Sequence, residues 1–399
     1  FRMLVQLAEK SCSEDQPSTS TWVRENFVIG EVIGNGTFGK VYTVECRQRA
    51  AGHLLAMKEL MRFAHPRYIE MELRILQQFG GCSNIMQMHC AYRDRDRVFI
   101  LMDHFPHDSL RDIMADITTE EILTYMRNLF IALQHLHKNG VIHRDIKPAN
   151  FLYNRKLRRY ALIDFGLAEI YDQSTTSKEN SCRSNRPVLH RSAVKRLCAS
   201  NEQEPAVKRW RRCDCAGHSA ICSACKAKPV KIFNKAGTPG FRAPEILLRM
   251  NEQSPKLDVW SAGITMLSML CRKHPLFRPG DDSDALVQMV AVFGTRPLLD
   301  LARESGHTLK MAPEHPGIDL VHLVKSMRDG CEAGDIANCN YCKSLIFNNL
   351  TRCLCLRCRE KSLSNLDSNE KVAFEVLNRC LTVNPKSRAS SQSILSQLL

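Results

Sequence analysis

The chain has 399 residues, 44% of them hydrophobic, which is ample for a domain with a sizeable core. Its longest apolar runs fall far short of a bilayer span, so no transmembrane helix is expected. The net charge of +14 is uneven, with 14 Lys and Arg against 5 Asp and Glu between Asp172 and Lys235, and 12 of the 18 cysteines crowd into Cys182–Cys225 and Cys331–Cys358, which argues for metal binding in a reducing compartment over a disulfide framework.

Residues 1–25 are polar and Ser/Thr-rich after an initial apolar patch, and read as a flexible or docked leader. Phe27-Val28-Ile29 then leads into Gly34-Asn35-Gly36-Thr37-Phe38-Gly39-Lys40-Val41, and Val41 and Thr43 alternate after it. Strand–turn–strand is the expected structure, with bare backbone N–H groups able to lie close to phosphates. A dinucleotide-binding loop would instead lead into a helix. Ala56-Met57-Lys58 reads as the next strand and Met71 to Leu76 as part of a helix, with Glu70 and Glu72 as candidate partners for Lys58. Val98-Phe99-Ile100-Leu101 reads as a buried strand, followed by Met102, Asp103, His104 and Phe105.

Thr118-Thr119-Glu120-Glu121 is a capping-box signature. Ile122, Met126, Leu129, Leu133 and Leu136 recur at helical spacing as a core stripe, and Gly140 closes the helix. The strand Val141-Ile142 delivers His143-Arg144-Asp145-Ile146-Lys147-Pro148-Ala149-Asn150, and Asp164-Phe165-Gly166 follows. These residue types suit phosphoryl transfer. Asp145 would accept a hydrogen bond from an attacking hydroxyl, and Asn150 and Asp164 would hold Mg2+ at the nucleotide phosphates.

A polar insert occupies roughly residues 173–234, and Lys195-Arg196 and Lys208-Arg209-Trp210-Arg211-Arg212 are its most basic parts. It reads as a nuclear-import, nucleic-acid or acidic-partner segment, or as a solvated basic insert. Cys213, Cys215, Cys222 and Cys225 give C-x-C-x6-C-x2-C, a spacing that suits tetrahedral zinc, with His218 as a substitute ligand. Gly237-Thr238-Pro239-Gly240-Phe241-Arg242-Ala243-Pro244-Glu245 and Asp258-Val259-Trp260-Ser261-Ala262-Gly263 come next. A second insert, residues 295–370, holds Cys339, Cys342, Cys355 and Cys358 at another zinc-like spacing, with Cys331 and Cys353 as extra thiols. A helix is expected around Ala373–Leu381, and Arg388 lies near the end of the sequence.

In this order the motifs resemble eukaryotic serine/threonine protein kinases. The inserts, the cysteine knot before Gly237 and the run Ile142–Arg155 narrow the resemblance to the cell-division-cycle kinases that fire replication origins, the catalytic half of the Dbf-dependent kinase. The resemblance covers about residues 20–395. It implies an α+β, bilobal kinase fold: a small antiparallel β lobe at 26–101 and a mainly helical large lobe at 102–399 that contains both inserts. It implies that ATP lies among Ile33, Gly34, Asn35, Gly36, Thr37, Phe38, Gly39, Val41, Ala56, Lys58, Met102, Asp103 and Phe105, with Mg2+ on Asn150 and Asp164. Lys58 would pair with Glu72, Lys147 would contact the transferring phosphate, and Thr238 would hydrogen-bond near Asp145 and Lys147. Asp258 would buttress the catalytic loop, and Arg388 would pair with Glu245.

The resemblance further implies a nuclear enzyme, with zinc in the first cysteine cluster. It would be activated by a Dbf-type regulatory subunit and would phosphorylate Ser or Thr in acidic contexts on the MCM helicase. Arg242 fits such a preference. Alone, the chain would be weakly active, since the Lys58–Glu72 pair must be held in register from outside. Two alternatives are another insert-bearing Ser/Thr kinase and a pseudokinase scaffold. Intact Lys58, Asp145, Asn150 and Asp164 argue against the scaffold. Direct nucleic-acid binding is secondary, because no base-reading motif is present.

Overall fold

The computed structural model describes residues 20–36, 39–48, 54–60, 66–94, 97–171, 237–250, 253–310, 314–329 and 366–399. Five strands open the fold: β1 (Phe27–Gly36), β2 (Gly39–Cys46), β3 (Leu54–Leu60), β4 (Met88–Asp94) and β5 (Arg97–Asp103). They pair antiparallel in the order β1-β2-β3-β5-β4. Strand β5 is buried from Arg97 to Met102, because both faces of the sheet are covered. Its alternate residues divide between two cores. Phe99 and Leu101 pack with Tyr42, Val44 and Met57, whereas Val98, Ile100 and Met102 share a cluster with Ile75, Leu76 and Phe79 of helix α2 (Pro66–Phe79).

Residues 21–25, which the sequence places in the leader, belong to helix α1 (Thr21–Asn26). It packs with the first of these cores. Val23 is fully buried there, and Trp22 stacks on Tyr92 with ring centroids 4.1 Å apart.

The helical lobe begins with α3 (Leu110–Asp116) and α4 (Thr119–Lys138). The predicted stripe of α4 is core: Ile122, Met126, Leu129, Leu133 and Leu136 are all fully buried. The capping box at its start is only half made. Thr118 accepts from the Glu121 amide, but the Glu121 carboxylate goes to Arg155 and Tyr153. A full guanidinium charge outcompetes a backbone amide for a carboxylate.

Two short ribbons carry the loops that follow: β6 (Val141–Ile142) with β9 (Glu169–Ile170), and β7 (Phe151–Asn154) with β8 (Arg159–Leu162). After α5 (Pro244–Leu247), helix α6 (Lys256–Leu270) is buried at every position from Leu257 to Leu270, as befits a helix apolar nearly all round.

Around it lie α7 (Asp282–Phe293), α8 (Thr295–Glu304), α9 (Leu320–Asp329), α10 (Ser368–Cys380) and α11 (Ser391–Leu398). Part of the expected second insert is thus helix packed on the core, with Leu298, Leu301, Leu323 and Val324 buried. Helix α10 starts five residues before the expected Ala373. Asp367 and Glu370 form a complete capping box there, a sequence signal that the apolar pattern alone does not reveal. No described helix is long and apolar enough to cross a membrane.

Candidate active site

Sheet register assembles the first wall of the site. Gly34 lies opposite Val41, Val41 opposite Lys58, and Lys58 opposite Ile100, so one line crosses four strands. Ala56 lies opposite Met102 by the same register, at the end of β5 that runs on to Asp103 and Phe105. Ile33 precedes Gly34 on β1 and is exposed. Asn35 pairs with Lys40 across the turn, while Thr37 and Phe38 lie outside the described residues.

The turn's glycines serve different ends. A Cβ on Gly39 would sit 2.0 Å from the Glu59 carbonyl oxygen, so the packing of β2 on β3 demands that glycine. Among the described residues a Cβ on Gly36 would meet nothing within 4 Å, and one on Gly34 only the Val41 side chain at 3.4 Å. No described neighbour requires these two glycines. Bare backbone at such positions can approach a phosphate chain closely.

Lys58 is buried and bridges two carboxylates, Glu72 Oε1 at 2.5 Å and Asp164 Oδ1 at 2.9 Å. Burial disfavours its charge, but the two anions outweigh that and hold the ammonium above its ordinary pKa. Glu72, not Glu70, is thus the residue of α2 at Lys58. The contact ties the helix to the sheet and to the Asp164 loop at one point.

The catalytic-loop residues converge on Asp145. Its Oδ1 accepts from the Thr238 amide at 2.9 Å and the Thr238 hydroxyl at 2.6 Å. Its Oδ2 accepts from Lys147 at 2.8 Å and Asn150 Nδ2 at 3.0 Å, and Lys147 also donates to Thr238 Oγ1 at 2.7 Å. Burial raises the Asp145 pKa, but the Lys147 charge and the bonds from Lys147 and Thr238 prevail and hold it below the usual carboxylate range. An ionised Asp145 can accept a hydroxyl proton's hydrogen bond and orient that oxygen.

Backbone strain is held in place around it. Arg144 and Asp164 adopt φ of 70° and 65°, uncommon for non-glycine residues. Asp258, wholly buried, accepts from the amides of His143 and Arg144, both at 2.8 Å, and contacts His137 Nε2 at 2.9 Å. Gly237, at φ 100°, lies so near the Arg144 carbonyl oxygen that a Cβ would stand 2.9 Å from it. That close approach lets Thr238 reach Asp145.

Asn150 and Asp164 fit a hard cation. Among the described residues both side-chain hydrogen bonds of Asn150 run from Nδ2 to Asp145, which leaves its carbonyl oxygen as the acceptor on offer. Asp164 gives one carboxylate oxygen to Lys58, and its other accepts no hydrogen bond among the described residues. The Ile163 amide donates to the Asn150 backbone oxygen at 2.9 Å, which places the two candidate ligands on adjoining segments. Such oxygen donors are what Mg2+ takes.

Residues 27–186 and 217–399 match the family model described as "Protein kinase domain". This chain is a protein kinase. The kinase is 30% identical over 407 residues to the "Cell division cycle 7-related protein kinase" of Mus musculus, covering 76% of this chain and 72% of that protein. It is 31% identical to the "Cell cycle serine/threonine-protein kinase hsk1" of Schizosaccharomyces pombe, with 77% of this chain and 64% of that one covered. A "non-specific serine/threonine protein kinase" of Drosophila melanogaster is 29% identical, over 91% of this chain and 66% of its own. The chain is a serine/threonine kinase of the cell division cycle 7-like group, with the bilobal fold that the sequence predicts. Protein kinases use ATP and Mg2+.

The zinc candidates Cys213, Cys215, Cys222 and Cys225, with His218, lie outside the described residues, as do Cys339, Cys342, Cys355 and Cys358. No cluster able to hold a metal through three or more Cys, His, Asp or Glu occurs among the described residues. Sequence reasoning missed His137 and Glu169. Glu169 sits five positions beyond Asp164 and binds Arg144 Nη1 at 2.6 Å. Nothing in its sequence neighbourhood marks it, because the contact is made in three dimensions.

Proposed function

We propose that the kinase transfers the ATP γ-phosphate to Ser or Thr in acidic segments, with Asp145 orienting the hydroxyl and Lys147 steadying the transferring group. The observation that carries this reading is the four-residue network Asp145–Lys147–Asn150–Thr238, in which every side chain contacts Asp145 within 3.0 Å. Bound Mg2+ on Asn150 and Asp164 would neutralise charge on the phosphates. The chain's own contribution is positioning and fixed charge. Lys58 holds the nucleotide phosphates while Glu72 holds Lys58, and the Gly34–Gly36 backbone closes over them.

Arg242, a candidate reader of acidic substrate, donates Nε to the Gly237 carbonyl oxygen at 2.9 Å and Nη1 to Asp282 at 3.0 Å. It flanks an apolar groove formed by Pro239, Leu247, Phe277 and Met289. An acidic substrate residue would share this guanidinium with Asp282, which favours a doubly charged or phosphorylated residue over a single carboxylate.

By its resemblance the kinase is proposed to act in the nucleus, on the MCM helicase, when bound to a Dbf-type subunit. The basic segment 195–212 fits nuclear import, and the cysteine spacings fit zinc. The deciding experiment is Mg2+- and ATP-dependent phosphorylation of an acidic serine peptide, with and without a Dbf-type subunit and with Asp145→Asn as control. Activity that depends on the subunit and disappears in the control supports the whole reading. Full activity without the subunit keeps the kinase and removes the activator, and a basic or proline-directed preference removes the acidic substrate class.

A further inference from the structure

Glu169 lies on β9, where it pairs in register with Ile142 of β6, the strand that leads into the catalytic loop. Its carboxylate stands between two arginines from different parts of the site. Oε2 takes Arg144 Nη1 at 2.6 Å, and Oε1 faces Arg67 Nη2 at 3.5 Å. Arg144 immediately precedes Asp145, and its side chain is only 8% exposed. Arg67 belongs to the first turn of α2, the helix that presents Glu72 to Lys58. One carboxylate therefore connects the segment beyond Asp164, the catalytic loop and the nucleotide-positioning helix.

We propose that Glu169 is a positioning residue: a built-in anion that ties α2 to the catalytic loop and keeps the Lys58–Glu72 pair aligned with Asp145 without added phosphate. The physical basis is general. An anion placed between arginines from two elements docks one on the other, which is how phosphorylation orders such segments. A carboxylate fixed in a β-ribbon needs no modification to do so. The strut has a strong arm and a weak one. The Arg144 contact is short and part-buried, and the Arg67 contact is longer, with Arg67 40% exposed and open to screening by salt. The position of α2 is the softer variable, and a protein bound against that helix would complete what the weak arm begins.

The test uses the full chain, with an activating subunit included equally in all samples where wild type needs one. Wild type, Arg67→Gln, Glu169→Gln and the double variant are assayed with Mg2+-ATP and an acidic serine peptide. Arg67→Gln, at a half-exposed side chain, is expected to lower kcat about fivefold with peptide KM within about twofold. Glu169→Gln is expected to lower kcat about tenfold or more, and the double variant no further than Glu169→Gln alone. Wild type stripped by phosphatase is expected to keep its rate. Arg67→Gln at the wild-type kcat overturns the proposal, as do losses that multiply in the double variant or a phosphatase-treated enzyme that becomes inactive. Should Glu169→Gln fail to fold, Arg67→Gln and the phosphatase comparison still decide. Each result is a ratio to wild type in the same mixture, so a wrong activator or substrate assignment leaves it standing.

Discussion

At the scale of single residues, the site depends on where charge is held. Asp145 is buried, yet the Lys147 charge and hydrogen bonds from Lys147 and Thr238 outweigh that burial and keep it ionised. Asp145→Asn is expected to reduce kcat by about 10²–10⁴-fold while ATP binding persists, as measured by steady-state kinetics beside nucleotide titration. The pH consequence has a definite sign. The folded pKa of Asp145 is below the unfolded carboxylate value of about 3.9, so its contribution to stability is fully present above that value. It is lost as pH falls through the depressed folded pKa. A kcat profile between about pH 6 and 8 should therefore show no inflection from Asp145, and an acidic limb there would mean that a group other than Asp145 limits the rate.

Elements bring their own constraints, and the glycine-rich turn separates fold from function within six residues. Gly39→Ala places a methyl 2.0 Å from the Glu59 carbonyl oxygen and should destabilise the small lobe by about 1–3 kcal/mol, read from denaturant unfolding. Gly36→Ala meets no described residue within 4 Å, so its unfolding midpoint should barely move while its affinity for ATP falls. A Gly36→Ala variant with unchanged ATP affinity would remove the phosphate-cradle role of the turn. Much of this was legible beforehand. The alternation around Gly34–Gly39 specified strand–turn–strand, and the stripe of α4 specified a core helix. The start of α10 and the half-made cap of α4 were not, because a cap depends on which partner its carboxylate meets after packing. Glu370 reaches back to its own helix, whereas Glu121 is drawn away by Arg155.

The whole molecule is held together by contacts between distant segments. Arg388 is fully buried with all five donors used: a bidentate pair with Glu245 at 2.7 and 2.9 Å, and carbonyl oxygens of Lys256, Thr382 and Val383. Its guanidinium also lies 5.0 Å from the centroid of the Trp260 ring. Glu245→Ala strands that charge in the core and should cost about 3–5 kcal/mol, seen as a large fall in unfolding midpoint; a small fall would show that the core relaxes around the orphaned guanidinium. The sequence by itself determined the chemistry, because Asp145, Lys147, Asn150 and Asp164 lie in short runs whose spacing is local. The family resemblance already put Glu72 rather than Glu70 at Lys58 and made Asp258 the buttress of the catalytic loop. Only the tertiary structure decided that Glu169 joins Arg144 to Arg67 across 25 and 102 positions and that His137 meets Asp258. The reason is that a charge's effect depends on burial and on distances of a few ångströms, and the folded chain sets both through contacts far apart in sequence.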